Sequence, residues 1–177
     1  MARIQPINRN EATGAVAATL DGVKAKIGVV PNLFATFAQA PAALNGYLAF
    51  SEALTRGRLT AAQRETLALA IGQANSCQYC LSAHSLLAQG AGLDATAIRD
   101  ARAGRADDPL TDALASLAVS IVKQRGVLSD ADIERARAAG VDDGLIVEVI
   151  ANVAFNTLTN YTNHIAATDI DFPVVAL

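Results

Sequence analysis

Apolar residues recur along most of the chain at intervals of three and four, the spacing of one face of an α-helix. The first stripe of this kind consists of Val16, Leu20, Val23 and Ile27. No segment shows the clear alternation of apolar and polar residues expected of a half-buried strand, so the pattern predicts an all-α protein. The predicted helices cover residues 11–27, 32–39, 41–56, 61–74, 77–90, 94–103, 109–125, 130–139 and 143–167.

Local capping signals set most of these boundaries. Thr60 and Gln63 have the spacing of a capping box, and Ser76 is predicted to cap a helix that starts at Cys77. The aspartate pairs at 107–108 and 142–143 are typical of helix starts, where a carboxylate meets the positive end of the helix dipole. The pattern Arg-Gly-x-Leu-Thr/Ser occurs at 56–60 and again at 125–129, which hints at a duplicated helical unit.

The composition adds a prediction about assembly. A chain of 177 residues suits a single domain over residues 1–177, and 52% hydrophobic content excludes a disordered chain. Alanine supplies 38 of these residues, whereas aromatic residues make up 5%. Alanine favours helices but buries little area, so the fold is expected to gain further apolar contact from other copies in a homo-oligomer.

Charge and hydropathy narrow the class of protein. The net charge of −3 and the absence of a basic stripe argue against a nucleic-acid partner. No apolar run reaches the length of a membrane span, and residues 1–10 lack the apolar core of a signal peptide, so we expect a cytoplasmic protein without a membrane partner. No cofactor and no metal are predicted.

The candidate chemistry centres on the only two cysteines, Cys77 and Cys80. On a helix, these two residues and His84 lie at i, i+3 and i+7 and therefore share one stripe. The start of a helix stabilises a thiolate, and a thiolate can attack a peroxide or exchange disulfides. The second sulfur can then close a disulfide. Glu65, on the preceding predicted helix, is expected to approach His84 and to complete a proton relay.

These residues resemble the core of the carboxymuconolactone decarboxylase/alkylhydroperoxidase D (AhpD)-like family, and the peroxidase-related branch is the most similar. The likeness runs from about Gly28 to Gly92 and includes Val-Pro-Asn-Leu-Phe at 30–34, Leu59-Thr60, and Glu65 twelve residues before Cys-Gln-Tyr-Cys-Leu-Ser-Ala-His at 77–84. The segment 160–164 fits more loosely.

The resemblance implies an all-α fold that assembles as a homotrimer or homohexamer. It also implies a hydroperoxide substrate and a thiol or dithiol reductant. By position, the peroxide-reacting sulfur falls on Cys80 and the resolving sulfur on Cys77, with Glu65 and His84 as the relay. The alkylhydroperoxidase D branch has a histidine where this chain has Tyr79, which is a poor base near neutral pH.

Three other interpretations stay open. The dithiol could serve a disulfide oxidoreductase or redox sensor with little peroxidase turnover. The chain could instead bind zinc through both cysteines, His84 and either Glu65 or His164. A decarboxylase or lactonase is disfavoured, because the decarboxylase branch lacks the Cys-x-x-Cys. Tyr79 and His164 are possible pocket residues. For Tyr79 a packing role is an equal alternative, and for His164 a structural role is favoured.

Overall fold

The computed structural model describes residues 2–177; Met1, at the start of the segment 1–10 considered above, lies outside them. It is 68% helical without strands in the described part of the chain, which confirms the all-α prediction. The helices are α1 (Gly14–Ile27), α2 (Asn32–Phe37), α3 (Pro41–Thr55), α4 (Ala61–Ala74), α5 (Gln78–Gly90), α6 (Ala95–Arg102), α7 (Pro109–Gln124), α8 (Asp130–Ala138) and α9 (Asp143–Ala166).

Helix α4 forms the centre of the fold. Its middle, Thr66–Gly72, is buried without interruption, because α5, α6, α7 and α9 pack around it. One apolar cluster joins α4 to α7, α8 and α9, and a second joins α1, α2 and α3 to the first turn of α5. A helix that is apolar on all sides belongs in the interior of a protein. Glu65 lies directly before this buried stretch and is half-buried.

Capping side chains begin the helices as predicted. The Thr60 hydroxyl accepts from the Gln63 N–H at 3.2 Å, and the Gln63 side-chain oxygen accepts from the Thr60 N–H at 3.0 Å. Ser129 and Asp132 form an equivalent box before α8. Asp108 and Asp142 cap α7 and α9, so one member of each predicted aspartate pair is a capping residue.

The prediction for the start of α5 is wrong by one residue. Ser76 adopts a left-handed conformation with φ of 55°, and Cys77 is the N-cap instead. A capping residue needs an extended conformation, which Ser76 does not have and Cys77 does. The Cys77 sulfur accepts the N–H of Cys80 at 3.3 Å. The cysteines thus occupy the cap and the first turn of one helix.

The C-terminal segment 168–177 crosses the beginning of α5 without regular secondary structure. The Val175 carbonyl accepts from the Gln78 amide at 3.1 Å, and the Val175 N–H donates to the Ser82 hydroxyl at 3.1 Å. The segment therefore covers the part of α5 that carries the cysteines. The helices that follow the two Arg-Gly-x-Leu copies, α4 and α8, have 14 and 9 residues, and the duplication stays a prediction.

Candidate active site

The two cysteines are joined by a disulfide at the start of α5. Their Cα atoms are 5.3 Å apart, a separation typical of disulfide-bonded cysteines. Cys77 is 1% exposed and Cys80 is 3% exposed, because Leu20, Phe37 and Leu44 from α1, α2 and α3 pack in the same cluster. The disulfide is therefore enclosed in largely apolar surroundings.

Glu65 and His84 meet one helical turn beyond Cys80. The carboxylate oxygen of Glu65 lies 2.7 Å from Nδ1 of His84, and both side chains are about one-fifth exposed. A carboxylate only accepts hydrogen bonds, so Nδ1 carries the proton. In the neutral imidazole, Nε2 is then unprotonated and can accept a proton. The structure thus brings together the predicted carboxylate and imidazole in the geometry of a general base.

Two asparagines of α9, absent from the predicted site, contact the sulfur atoms. Nδ2 of Asn160 lies 2.9 Å from Sγ of Cys80, and Nδ2 of Asn163 lies 3.4 Å from the same sulfur and 4.0 Å from Sγ of Cys77. The Asn75 amide donates to Oδ1 of Asn160 at 2.8 Å. Both α9 asparagines are buried. The sulfurs therefore face side-chain amide donors as well as apolar groups.

The spacing of the asparagines along the sequence indicates that they share one face of α9. Helix α9 contains four of them at intervals of four, four and three, and all four are buried: Asn152, Asn156, Asn160 and Asn163. Asparagine is a poor helix former. A row of asparagines on one face of a long helix therefore indicates that this face meets polar groups inside the fold.

Tyr79 lies between the cysteines in sequence, and its hydroxyl is bound to the C-terminal segment. The hydroxyl donates to Asp171 at 2.8 Å and accepts from the Leu33 N–H at 3.2 Å, and the ring packs edge-on against Phe172. Burial, together with the bond to Asp171, raises the pKa of Tyr79 well above its ordinary value. The phenol thus stays neutral and ties three segments of the chain together.

An aromatic group lies close to the Glu65 side of the site. Tyr47 stacks on Phe155 with ring centroids 4.7 Å apart and on Phe37 at 5.2 Å. Burial, and then the negative charge of Glu65, raise the pKa of Tyr47. Phe34 packs against Tyr47, and Phe50 packs edge-on against Phe155, so an aromatic cluster from α2, α3 and α9 lies close to the charge of Glu65.

His164 lies at the exposed end of α9, where its Nε2 is 3.3 Å from the carbonyl oxygen of Ser76. It therefore contacts the backbone just before Cys77. Within residues 2–177, no three His, Cys, Asp or Glu side chains are grouped so as to hold a metal ion. In the same part of the chain, no helix is both long and apolar enough to cross a membrane.

The fold and the cysteine pair define a class, that of all-α proteins with a disulfide-capable Cys-x-x-Cys at the start of a buried helix. Comparison with known families gives the particular group. The sequence profile of the carboxymuconolactone decarboxylase family matches residues 41–114. This match agrees with the family likeness predicted from the sequence. No curated protein matches it by sequence.

Solved structures share the whole fold. A peroxidase-related protein from Ralstonia eutropha JMP134, described as an alkylhydroperoxidase AhpD core, is 25% identical with a TM-score of 0.85, over 96% of this chain and 92% of that one. A peroxidase-related protein from Silicibacter sp. TM1040 is 20% identical with a TM-score of 0.79, over 94% and 92%. The debrominase Bmp8, solved with 2,3,4-tribromopyrrole, is 16% identical with a TM-score of 0.80, over 96% and 91%.

Proposed function

We propose that the protein reduces hydroperoxides with its cysteine pair. The Cys80 thiolate attacks the outer oxygen of the hydroperoxide, so that an S–O bond forms, the O–O bond breaks and an alcohol or water leaves. The Cys77 thiol then attacks the Cys80 sulfenic acid, water leaves and the disulfide closes. A dithiol reductant returns two electrons and two protons, and is itself oxidised to a disulfide.

One observation carries this proposal: the Cys77–Cys80 disulfide lies one helical turn from the Glu65–His84 pair. His84, with Nδ1 fixed by Glu65, takes the proton of the Cys80 thiol and returns it to the leaving oxygen. The disulfide corresponds to the oxidised state of the cycle, before the dithiol reductant acts. The family match over residues 41–114 and the likeness to a peroxidase-related protein at 25% identity support the same chemistry.

The proposed setting is the cytoplasm, where reducing dithiols are available. The proposed assembly is a homotrimer or homohexamer, supported by an uncovered apolar face on α9. Five large side chains on one stripe of this helix are exposed to solvent: Val147, Ile150, Leu158, Tyr161 and Ile165.

Thiol counting by mass spectrometry tests the proposal. The reduced protein, given one equivalent of hydroperoxide, is expected to lose two thiols within one chain, with a Cys77–Cys80 link in the peptide map. Cys80→Ser should abolish peroxide consumption. Cys77→Ser should still consume one equivalent and accumulate a sulfenic acid that dimedone traps on Cys80. Retention of both thiols in the wild-type protein, or trapping on Cys77 in Cys80→Ser, would contradict the assignment.

A second candidate is a dithiol–disulfide oxidoreductase or redox sensor, which the burial of both sulfurs favours. A buried pair that opens only for a partner reacts slowly with free peroxide but exchanges disulfides with a docked protein. Stopped-flow oxidation of the reduced protein separates the two functions. A rate similar to that of a free thiol would favour the sensor, and a rate that saturates or greatly exceeds it would favour the peroxidase.

A further inference from the structure

We propose that Asn160 and Asn163 are positioning residues that stabilise the Cys80 thiolate of the reduced protein through their side-chain amides. The inference rests on the dithiol cycle of the proposed function. It adds two residues of α9 to a site otherwise built from α4 and α5, and it explains why Cys80 rather than Cys77 is the attacking sulfur.

The first step is the orientation of the Asn160 amide. Its Oδ1 accepts a hydrogen bond from Asn75 at 2.8 Å, so the NH₂ group is the part directed at Cys80. Asn160 is 1% exposed. A buried amide held at both ends keeps its direction through the redox cycle, because turning it would leave both groups unpaired. Asn75, at the C-terminus of α4, therefore aims the donor.

The second step is a mismatch between these donors and a disulfide. A disulfide sulfur is a weak acceptor, yet two amide donors lie 2.9 and 3.4 Å from Sγ of Cys80. Hydrogen bonds to a charged group are about twice as strong as neutral ones, and those to the ionised form favour ionisation. The arrangement suits a thiolate at Cys80 better than the disulfide that occupies it.

The third step is the unpaired oxygen of Asn163. Its Oδ1 is buried without a hydrogen-bond partner, and its NH₂ lies within 4.0 Å of Cys77 Sγ. Two electrons and one proton convert the disulfide into one thiol and one thiolate. The thiol S–H of Cys77 would supply a donor for the orphan oxygen, while the thiolate at Cys80 would take both amides. Reduction would thus offer a partner to the one Asn163 oxygen that is unpaired in the oxidised protein.

Among the side chains around Cys80, these two amides are the polar groups nearest to its sulfur. Helices α1 and α2 contribute Leu20, Leu33 and Phe37 to the cluster around the sulfurs, and the charged residues of α1 are exposed. The titratable groups that face the site from the other elements are already paired or neutral: Glu65 with His84, Tyr79 with Asp171, His164 with the Ser76 carbonyl, and the buried Tyr47.

The test is a titration of the Cys80 thiolate by its ultraviolet absorbance in a Cys77→Ser background, where Cys80 is the only thiol. Asn160→Leu removes the donor and keeps the branched shape and the number of side-chain heavy atoms. It is expected to move the titration midpoint upward by about one pH unit or more. Asn75→Ala, at a half-buried position, is expected to give a smaller shift in the same direction, because the amide is no longer aimed.

Asn156→Leu is the matched control. Asn156 lies one turn earlier on the same buried face, but its amide bonds to the Asn152 carbonyl and does not contact sulfur. Its midpoint should equal that of the parent, although its stability should fall. A parent-like midpoint in folded Asn160→Leu, or an equal shift in Asn156→Leu, would overturn the proposal. If Asn160→Leu does not fold, an unchanged midpoint in Asn75→Ala would overturn it.

The titration involves no peroxide, so it separates this inference from the proposed peroxidase function. A midpoint shift in a protein that does not consume peroxide would support the asparagines and reject the peroxidase. In the protein with both cysteines, Asn160→Leu should also shift the equilibrium with dithiothreitol towards the disulfide, because the reduced form loses its support.

Discussion

At the residue scale, the His84 ring and the Asn160 amide are each oriented by a neighbouring side chain. Glu65 determines which nitrogen of His84 carries a proton, and Asn75 determines which end of the Asn160 amide meets Cys80. Both supports belong to α4 or its C-cap, which is packed among other helices and therefore rigid. The orientation of the site thus depends on the central helix as much as on the helix that carries the cysteines.

Glu65→Gln tests the first of these supports. A neutral amide cannot stabilise the imidazolium that forms when His84 takes a proton, so hydroperoxide consumption should slow by roughly 10²-fold or more. Stopped-flow kinetics with limiting peroxide gives the rate. Glu52→Gln is the matched control, since Glu52 lies on α3 and pairs only with Arg56 in an exposed position. A wild-type rate in Glu65→Gln would remove Glu65 from the mechanism.

The sequence predicts the part of the site that is local. Cys77, Cys80 and His84 lie within two turns of one helix, so helical geometry alone aligns them. The asparagine contacts are not local, because Asn160 lies 80 residues after Cys80 and meets it only when α9 packs on α5. The partners of Tyr79 are likewise distant, with Asp171 92 residues away.

At the element scale, helix boundaries were predictable because a cap depends on residues close together in sequence. Ser76 is an exception, because its conformation depends on the turn in which it lies. A serine before a helix normally caps it, but here the chain turns back sharply from α4, and the Cys77 N–H bonds to the Gly72 carbonyl at 2.8 Å. That turn requires a left-handed residue at position 76, which displaces the cap by one residue.

The start of α9 holds the loop before α4 through a charged contact. Arg58 bonds to both carboxylate oxygens of Asp142 at 2.7 and 2.8 Å, and the Glu148 carboxylate accepts the Arg58 N–H at 2.9 Å. A Cβ at Gly57 would lie 2.6 Å from the Glu148 carboxylate, so a side chain at this position would have to displace Glu148. The pKa of Asp142 is lowered from 3.8 to about 2, because its carboxylate accepts hydrogen bonds from Arg58 and from the Leu145 N–H and lies beside the positive charge of Arg58.

This lowered pKa predicts an acid dependence of stability. Asp142 contributes stability above its unfolded pKa of 3.8, and the contribution disappears as the pH falls towards about 2. Asp142→Asn keeps a capping oxygen but no charge, so its free energy of unfolding should depend less on pH across this window. Urea unfolding at several pH values measures it. Arg58→Gln should flatten the profile too, and an unchanged slope in Asp142→Asn would contradict the assignment.

At the scale of the whole molecule, the two faces of α9 differ in their surroundings. One face carries the buried asparagines, and the other exposes the apolar stripe from Val147 to Ile165. A cavity of about 450 Å³ lies along the end of this stripe, lined among others by Ile4, Leu158 and Tyr161. An alanine-rich chain that leaves its large side chains outside is suited to bury them against another copy.

Charge on the stripe should therefore break the assembly. Tyr161 and Ile165 are 55% and 64% exposed, and Tyr161→Glu or Ile165→Glu should shift the protein from oligomer to monomer in light scattering after size exclusion. Val127→Glu is the control, since Val127 is 79% exposed in the turn after α7 and lies off the stripe. A monomeric wild-type protein at micromolar concentration would reject the proposed assembly.

The distance along the chain between Cys80 and its amide donors has a consequence during synthesis. Asn160 is added 80 residues after Cys80, which takes about 4 to 16 seconds at a ribosome rate of ~5–20 residues per second. Until α9 (Asp143–Ala166) is made, the nascent chain carries the two cysteines without their amide donors. The reactivity proposed for Cys80 therefore arises only after α9 has been synthesised and has docked on α5.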